Sequence, residues 1–350
     1  MGFKSIIRVT PERECIARSN ITPYTVRTPL IPLGNNLTRP DHPSLQIYIK
    51  LETLQPCVGS FKIRGAANAI ASRKSELERM EDPIVVTASA GNMGQGVAHA
   101  CREFGYSCIV VVPDSAPRSK VDAMVKGYGA TVIRVPYNEW WGIIETSDCS
   151  DVEGIGDKAH VFIHPVCDQA VVEGNSTCGS EILEEMPDVD AIFVPYGGGG
   201  LSCGIGSAVA NHHDSSELSS SDGRHKCTVV SCEPETAAPM ALSRLLGVMS
   251  SFASYYEPSF CDGCGGKAVL PAMWPLAQLV IDQSVAVPLH AIEAGVWTLH
   301  ERAKVVAEGA GGVTVGAAMF CPLERLGPDA RSWKKVVCVV GGSGIDRGKL

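Results

Sequence analysis

Val194-Pro195-Tyr196-Gly197-Gly198-Gly199-Gly200-Leu201 is the stretch on which the fold of this chain turns. A strand-like run, Ala191 to Pro195, enters four glycines, and a helical pattern, Leu201 to Ala210, leaves them. Without Cβ atoms, successive backbone N–H groups can converge on one anion. The N-terminus of the following helix adds partial positive charge, so a phosphate is the expected guest. The segment is not a nucleotide P-loop, because no Gly-Lys-Ser/Thr follows it. It is not the dinucleotide fingerprint either, because the Gly-x-Gly-x-x-Gly spacing and the ribose-binding acid are missing.

Outward from this stretch the same alternation recurs. Ile84 to Thr87 reads as a strand, Met93 to Phe104 as a helix, Cys108 to Val112 as a strand, Arg118 to Tyr128 as a helix stopped by Gly129, and Thr131 to Val135 as a strand. Strand–helix–strand at this spacing requires parallel strands joined by crossover helices. Gln46 to Leu51, Cys227 to Cys232 and Lys335 to Val340 supply further strands. His290 to Val306 reads as a helix, and a helix opened by the segment around Lys62 is expected to run toward Met80. Asn211 to His225, rich in Ser, Asp and His, reads as a disordered loop. The expectation is an α/β protein of two lobes, each an open, twisted, mostly parallel sheet flanked by helices. Residues 1–82 and 165–350 would form the large cofactor-binding domain, with 83–164 inserted as a small α/β domain.

Two more glycine-rich turns follow strands. Ser89-Ala90-Gly91-Asn92-Met93 has free N–H groups and polar side chains suited to a carboxylate and a ring oxygen; alone it would pass for an ordinary helix cap. Gly341-Gly342-Ser343-Gly344 ends the last strand, where ligands of open α/β sheets gather. Ser60-Phe61-Lys62-Ile63-Arg64-Gly65-Ala66 places a lysine among apolar neighbours. Burial there would disfavour the ammonium form and free the amine to attack a carbonyl. By itself such a lysine is a solvated residue at a helix start; three anion-type loops in one chain change that reading.

The bulk composition narrows the partners. With 30 basic and 38 acidic residues in 350, the net charge of -8 argues against nucleic acid or an anionic membrane as a partner. No long apolar run suggests a signal peptide or a membrane span. The 14 cysteines are scattered through apolar runs and read as reduced thiols of a cytoplasmic protein. Cys261 and Cys264 have CxxC spacing, but no second close pair completes a zinc site, so a loop position is expected.

Taken together, the chain resembles the tryptophan-synthase-β-like (fold type II) pyridoxal 5′-phosphate enzymes, in particular the serine/threonine dehydratase and serine racemase group. The resemblance runs from about Thr28 to Asp346. It rests on Lys50-Leu51-Glu52 leading to Ser60–Ala66, the Ser-Ala-Gly-Asn turn, His164-Pro165, the tetraglycine loop, Cys232-Glu233-Pro234, Glu301-Arg302-Ala303-Lys304 with Glu308-Gly309-Ala310-Gly311, and the last Gly-Gly. It implies that Lys62 carries the Schiff base and moves protons, that Phe61 packs by the cofactor ring, and that Gly197, Gly198, Gly199, Gly200 and Leu201 hold its phosphate. Asn92 would meet the ring hydroxyl, Glu308 would belong to the cofactor site, and Ser89, Ala90, Gly91, Asn92 and Met93 would grip the substrate carboxylate. The implied protein is a homodimeric ammonia-lyase on a small amino acid, turning L-threonine or L-serine into 2-oxobutanoate or pyruvate plus ammonia.

The chain also departs from that pattern. The turn before the lysine has Cys57-Val58-Gly59, one residue longer than usual. Met93 stands where His is usual. Val340 replaces the Ser or Cys that meets the pyridine nitrogen, so either Ser343 takes that role or the nitrogen is unpaired. For the racemase-type Mg²⁺ site, Glu233 and Ala237 fit, but Pro239 stands where a carboxylate is expected, which leaves the metal open. No regulatory domain is expected after the catalytic part, and so no feedback control. Racemases of the group carry Ser where this chain has Ala90, which favours elimination, since racemisation needs an acid–base group on each face of the carbanion. The rivals are a serine racemase, a dehydratase of another β-hydroxy amino acid such as 3-hydroxyaspartate, a β-replacement synthase, a silent binding protein (favoured by Val340) and, last, a nicotinamide oxidoreductase.

Overall fold

The computed structural model describes residues 5–34, 39–56, 58–156, 158–215 and 226–344. In chain order, α1 (Pro11–Ile21), β1 (Leu30–Pro32) and β2 (Gln46–Leu51) precede α2 (Lys62–Ala71) and α3 (Lys74–Leu77). A first βα series follows: β3 (Ile84–Ala88), α4 (Asn92–Phe104), β4 (Ser107–Pro113), α5 (Arg118–Asp122), β5 (Thr131–Val135), α6 (Tyr137–Thr146) and β6 (Val161–Phe162). The second comprises α7 (Gln169–Glu185), β7 (Ala191–Pro195), α8 (Gly200–Ser215), β8 (Thr228–Pro234), α9 (Pro239–Leu246), α10 (Trp274–Val280), β9 (Gln283–Val287), α11 (Leu289–Thr298), α12 (Gly309–Phe320), α13 (Leu323–Leu326) and β10 (Lys335–Val340).

These strands form two sheets, ordered β1-β2-β10-β7-β8-β9 and β5-β4-β3-β6. Every pairing is parallel except β1 with β2. Helices cover both faces, so the central strands are buried throughout and read as unbroken apolar runs: β7 and β10 are buried almost end to end. α2 packs across the two series. Ile63, Ala66 and Ile70 share a core with Val85 and Val110 of the smaller sheet and Val97 of α4, while the α2–α7 crossing is so close that a Cβ on Gly174 would lie within van der Waals radii of the Arg64 carbonyl.

A buried ion network fixes α2 in place. Arg64 bonds Glu52 through Nε and Nη2 at 2.8 and 2.9 Å and Glu181 of α7 at 2.7 and 2.9 Å. Lys50 meets the same Glu181 at 2.7 Å. Burial pushes the Glu52 carboxyl up, but the Arg64 charge and its hydrogen bonds hold it below the usual value. The helix that begins with Lys62 is therefore tied to the end of β2 and to α7.

Several boundaries differ from the sequence reading. The helix from Lys62 stops at Ala71, because the Arg73 side chain turns back to cap the Ala69 carbonyl at 2.9 Å and reaches Asp168 at 2.6 Å. α8 runs on to Ser215 through part of the expected loop. Its last turn is held by Arg8, which donates to Asn211 at 2.7 Å, and by Asn211 Nδ2, which donates to the Val9 carbonyl. The rest of that stretch lies outside the described residues, as does Cys57. α11 ends at Thr298 and gives way to a wider turn over Leu299–Ala303 that closes on Lys304 at φ +58°.

Candidate active site

Strand ends set the floor of the site. β7 and β10 are parallel neighbours, so their carboxyl ends deliver Gly197–Gly200 and Gly341-Gly342 to one edge. The lysine segment is pinned to that edge: Ser60 Oγ and Phe61 N both donate to the Gly341 carbonyl, at 3.0 and 3.1 Å. A Cβ on Gly341 would touch the Phe61 ring at 3.4 Å. The smaller sheet closes the site from above, because α4 rests on the start of α2: a Cβ on Gly96 would lie 3.4 Å from the Lys62 carbonyl. Phe61, Lys62, Ser89, Asn92, Gly197–Leu201 and Glu308 consequently line one cavity of about 510 Å³. A larger, more open depression of about 820 Å³ lies behind His164 and Cys167. It holds none of the glycine loops, and its arginines are paired, Arg13 with Glu173 and Arg73 with Asp168, so the chemistry is assigned to the smaller cavity.

Lys62 is partly buried, its Nζ 4.7 Å from the centre of the Phe61 ring. Burial brings its amine down to about 8, and the Glu308 carboxylate offsets part of that fall. Glu308 is itself buried, which raises its carboxyl above the ordinary range, although the Asn92 amide opposes the rise by donating to Oε1 and Oε2 at 3.0 and 3.3 Å. With its nitrogen on Glu308, Asn92 leaves Oδ1 buried without a partner.

Within the tetraglycine turn, Gly198 and Gly199 have no room for side chains. A Cβ on Gly198 would stand 2.5 and 2.6 Å from the Val166 methyls, and Gly199 adopts φ +97°. The Val166 wall is shaped by His164. Its Nδ1 accepts from Val166 N and Cys167 N at 3.0 and 2.6 Å, so Nε2 carries the proton and donates to the Ile144 carbonyl at 2.9 Å. α8 begins at Gly200, and its first N–H groups lack intrahelical acceptors.

Fold and site thus define a two-sheet α/β enzyme built to hold a carbonyl compound that bears an anion, with a lysine poised at the carbonyl end. Comparison with known proteins narrows this. Residues 21–342 match the family described as "Pyridoxal-phosphate dependent enzyme". The chain is 37% identical over 302 residues to the L-threonine ammonia-lyase of Thermotoga maritima, covering 86% of this chain and 68% of that protein. It is 30% identical over 333 residues to the L-threonine dehydratase catabolic TdcB of Staphylococcus aureus N315, covering 94% and 87%. It superposes on maize serine racemase with a TM-score of 0.80 at 26% identity, covering 98% of this chain and 96% of that one. The chain belongs to the pyridoxal-phosphate-dependent enzyme family, and its architecture is the tryptophan-synthase-β-like fold type II. Pyridoxal 5′-phosphate is its cofactor.

The residues present fit that cofactor. The tetraglycine cradle, where a Cβ on Gly198 would collide with Val166, suits the phosphate. The orphaned Asn92 Oδ1, costly to leave buried and unpaired, suits the ring hydroxyl.

The structure separates some residues that the sequence grouped. Val340 is fully buried and offers no polar atom, while Ser343 lies off the cavity, its N and Oγ both donating to the Gly59 carbonyl at 3.0 and 3.2 Å. Ser89, Gly91, Asn92 and Met93 line the cavity, but Ala90 packs against the core of the smaller sheet. Glu233 is fully buried, and its two oxygens accept from Met240 N and Ala241 N at 3.1 and 2.8 Å, capping α9. The Ala237 carbonyl is taken by Gly266 N at 3.2 Å. The two residues expected at a Mg²⁺ site thus also hold backbone, Glu233 at the start of α9 and Ala237 at the Gly266 turn.

Sequence reasoning missed Asn175, whose Oδ1 is also buried without a partner, and the cavity wall of Tyr137, Trp140 and Tyr256. A buried asparagine in a helix interior, where Asn is a poor helix former, was one available signal. The aromatic cluster Tyr137-Asn138-Glu139-Trp140-Trp141, in a chain with only 6% aromatics, was another.

Proposed function

We propose that the chain is an ammonia-lyase that eliminates the β-hydroxyl of L-threonine and/or L-serine, giving 2-oxobutanoate or pyruvate and ammonia. The observation that carries this is a partly buried lysine, its amine lowered to about 8, facing the same cavity as the anion cradle. The bound cofactor supplies an electron sink at the substrate α-carbon. Lys62 would hold the cofactor through its amine and, once released, would take the α-proton; burial brings that amine down to about 8 in the cofactor-free protein, which keeps a usable fraction unprotonated at neutral pH. Gly197–Leu201 would donate backbone N–H groups to the phosphate, and Asn92 would meet the ring hydroxyl. Ser89, Gly91 and Asn92 at the start of α4 orient the substrate carboxylate by the positive end of that helix. The names of the Thermotoga maritima and Staphylococcus aureus relatives support the same reaction.

Residues 1–82 and 165–350 are taken as the cofactor-binding domain and 83–164 as the smaller inserted one. A cytoplasmic homodimer is the assembly that accompanies this reading.

Likeness to maize serine racemase favours a second reading, racemisation of serine. A panel of β-hydroxy amino acids, scored for 2-oxo acid, ammonia and product chirality, decides between them. Rapid 2-oxo acid release from L-threonine or L-serine with little D-amino acid is expected. D-serine formed as fast as pyruvate would promote the racemase, and turnover of 3-hydroxyaspartate alone would move the substrate class.

A further inference from the structure

Cys261 and Cys264 form a dithiol beside the cofactor cradle that the proposed reaction does not use. Their Sγ atoms are 3.3 Å apart, and both thiols are free and buried. The turn is tight, with Gly263 at φ +93° and Gly265 at φ +73° on either side of Cys264. It abuts the cradle at two points. A Cβ on Gly197 would lie 3.2 Å from the Gly263 carbonyl and 3.5 Å from Cys264 Cα. A Cβ on Gly309, next to Glu308, would lie 2.6 Å from Cys261 Cα. Gly265 N also donates to the Tyr196 carbonyl at 2.6 Å, immediately before the four glycines. Cys264 is also among the residues that line the cavity.

We infer that Cys261 and Cys264 are a redox modification site: a small-molecule disulfide of the glutathione class joins them into an intramolecular disulfide, and that bond weakens the hold on pyridoxal phosphate. The hydrogen bond with Cys261 and burial hold the Cys264 thiol well above its usual range, so the step begins with loss of that proton; the thiolate then attacks one sulfur of the reagent and expels a thiolate. The Cys261 sulfur, losing its proton, then attacks Cys264 Sγ and expels nothing but the second reagent thiolate. Two protein thiols lose two electrons, the reagent disulfide gains them, and the two protons leave on the two small thiols. Bond formation draws the sulfurs from 3.3 Å to about 2.05 Å. Cys261 Cα packs closely on Gly309, and the Gly263 carbonyl packs on Gly197, so the displacement passes to those two glycines. Coupling is reciprocal: whatever factor the disulfide takes from cofactor affinity, the bound cofactor adds to the oxidant needed.

The test equilibrates the full chain in graded oxidised and reduced glutathione, with and without saturating pyridoxal phosphate. Peptide mapping locates the disulfide, and titration with the cofactor measures affinity in each redox state. A Cys261–Cys264 bond is expected, with affinity about fivefold or more lower in the oxidised form and the half-oxidation ratio raised by a matching factor when cofactor is present. Cys261→Ser should bind cofactor equally under oxidising and reducing buffers. The inference is overturned if mapping finds only mixed disulfides or bonds between other cysteines, such as Cys101 with Cys108, or if the Cys261–Cys264 bond forms and cofactor affinity does not change. Turnover is not read, so failure of the lyase assignment would leave this result intact.

Discussion

Gly198→Ala tests the cradle most directly. The new Cβ would stand 2.5 and 2.6 Å from the Val166 methyls and 3.0 Å from its Cβ, where ordinary carbon contacts need about 3.5–4.0 Å. Rotating Val166 cannot relieve a clash that includes its Cβ, so the two segments must part by about 1 Å, an overpacking that costs about 1–3 kcal/mol. In the cofactor-free protein the turn can shift outward at small cost, because nothing then requires its N–H groups to converge. With pyridoxal phosphate bound they must converge, and the cost falls on the complex, making Kd about 5- to 150-fold weaker at 1.4 kcal/mol per decade. Spectroscopic titration of the cofactor-free protein measures Kd, and a thermal melt of the same sample measures fold stability. Removing the opposing methyls in Gly198→Ala/Val166→Ala should recover most of the affinity. The reasoning is refuted if Gly198→Ala lowers apo stability as much as it lowers affinity, or if the double variant recovers nothing.

Lys62→Ala should lose the visible absorbance of the bound cofactor and essentially all turnover; borohydride reduction followed by peptide mapping that found the cofactor on another lysine would remove Lys62 from its role. In the cofactor-free protein Lys62 titrates at about 8, against about 10.4 in the unfolded chain. Between these values the unfolded chain binds the extra proton, so this lysine's penalty, fully present below about pH 8, is relieved as pH rises. The stability gap between Lys62→Met and the parent should therefore narrow from about pH 8 to 10 in denaturant melts, and a constant gap would count against a lowered amine. Arg64→Met leaves Glu52 buried without its partner, and should cost about 3–5 kcal/mol by chemical denaturation; a loss under about 1 kcal/mol would mean that the network behaves like a surface ion pair.

The amino-acid sequence by itself determined the α/β class, the parallel strands and the three glycine-rich turns. Those features depend on local rules: apolar runs of strand length, glycines where the backbone must approach an anion, and a helix pattern after each turn. It also marked Lys62, because a lysine between apolar residues is a local oddity. Two of the helices it left out are largely buried. α12 is buried over Gly309–Ala318, and most of α7 is buried; a helix covered on every side shows no polar face, so its period is invisible. Only the tertiary structure decided where the strand ends meet. The β10–β7 pairing places Gly341 against Phe61 and Pro195, and no spacing in the chain encodes that neighbourhood. The same holds for Glu233. The resemblance of its Cys232-Glu233-Pro234 motif suggested a metal ligand, and only the position of α9 shows that its oxygens meet two backbone N–H groups. Local chemistry fixes which groups a residue offers, while long-range packing fixes which partner each offer reaches.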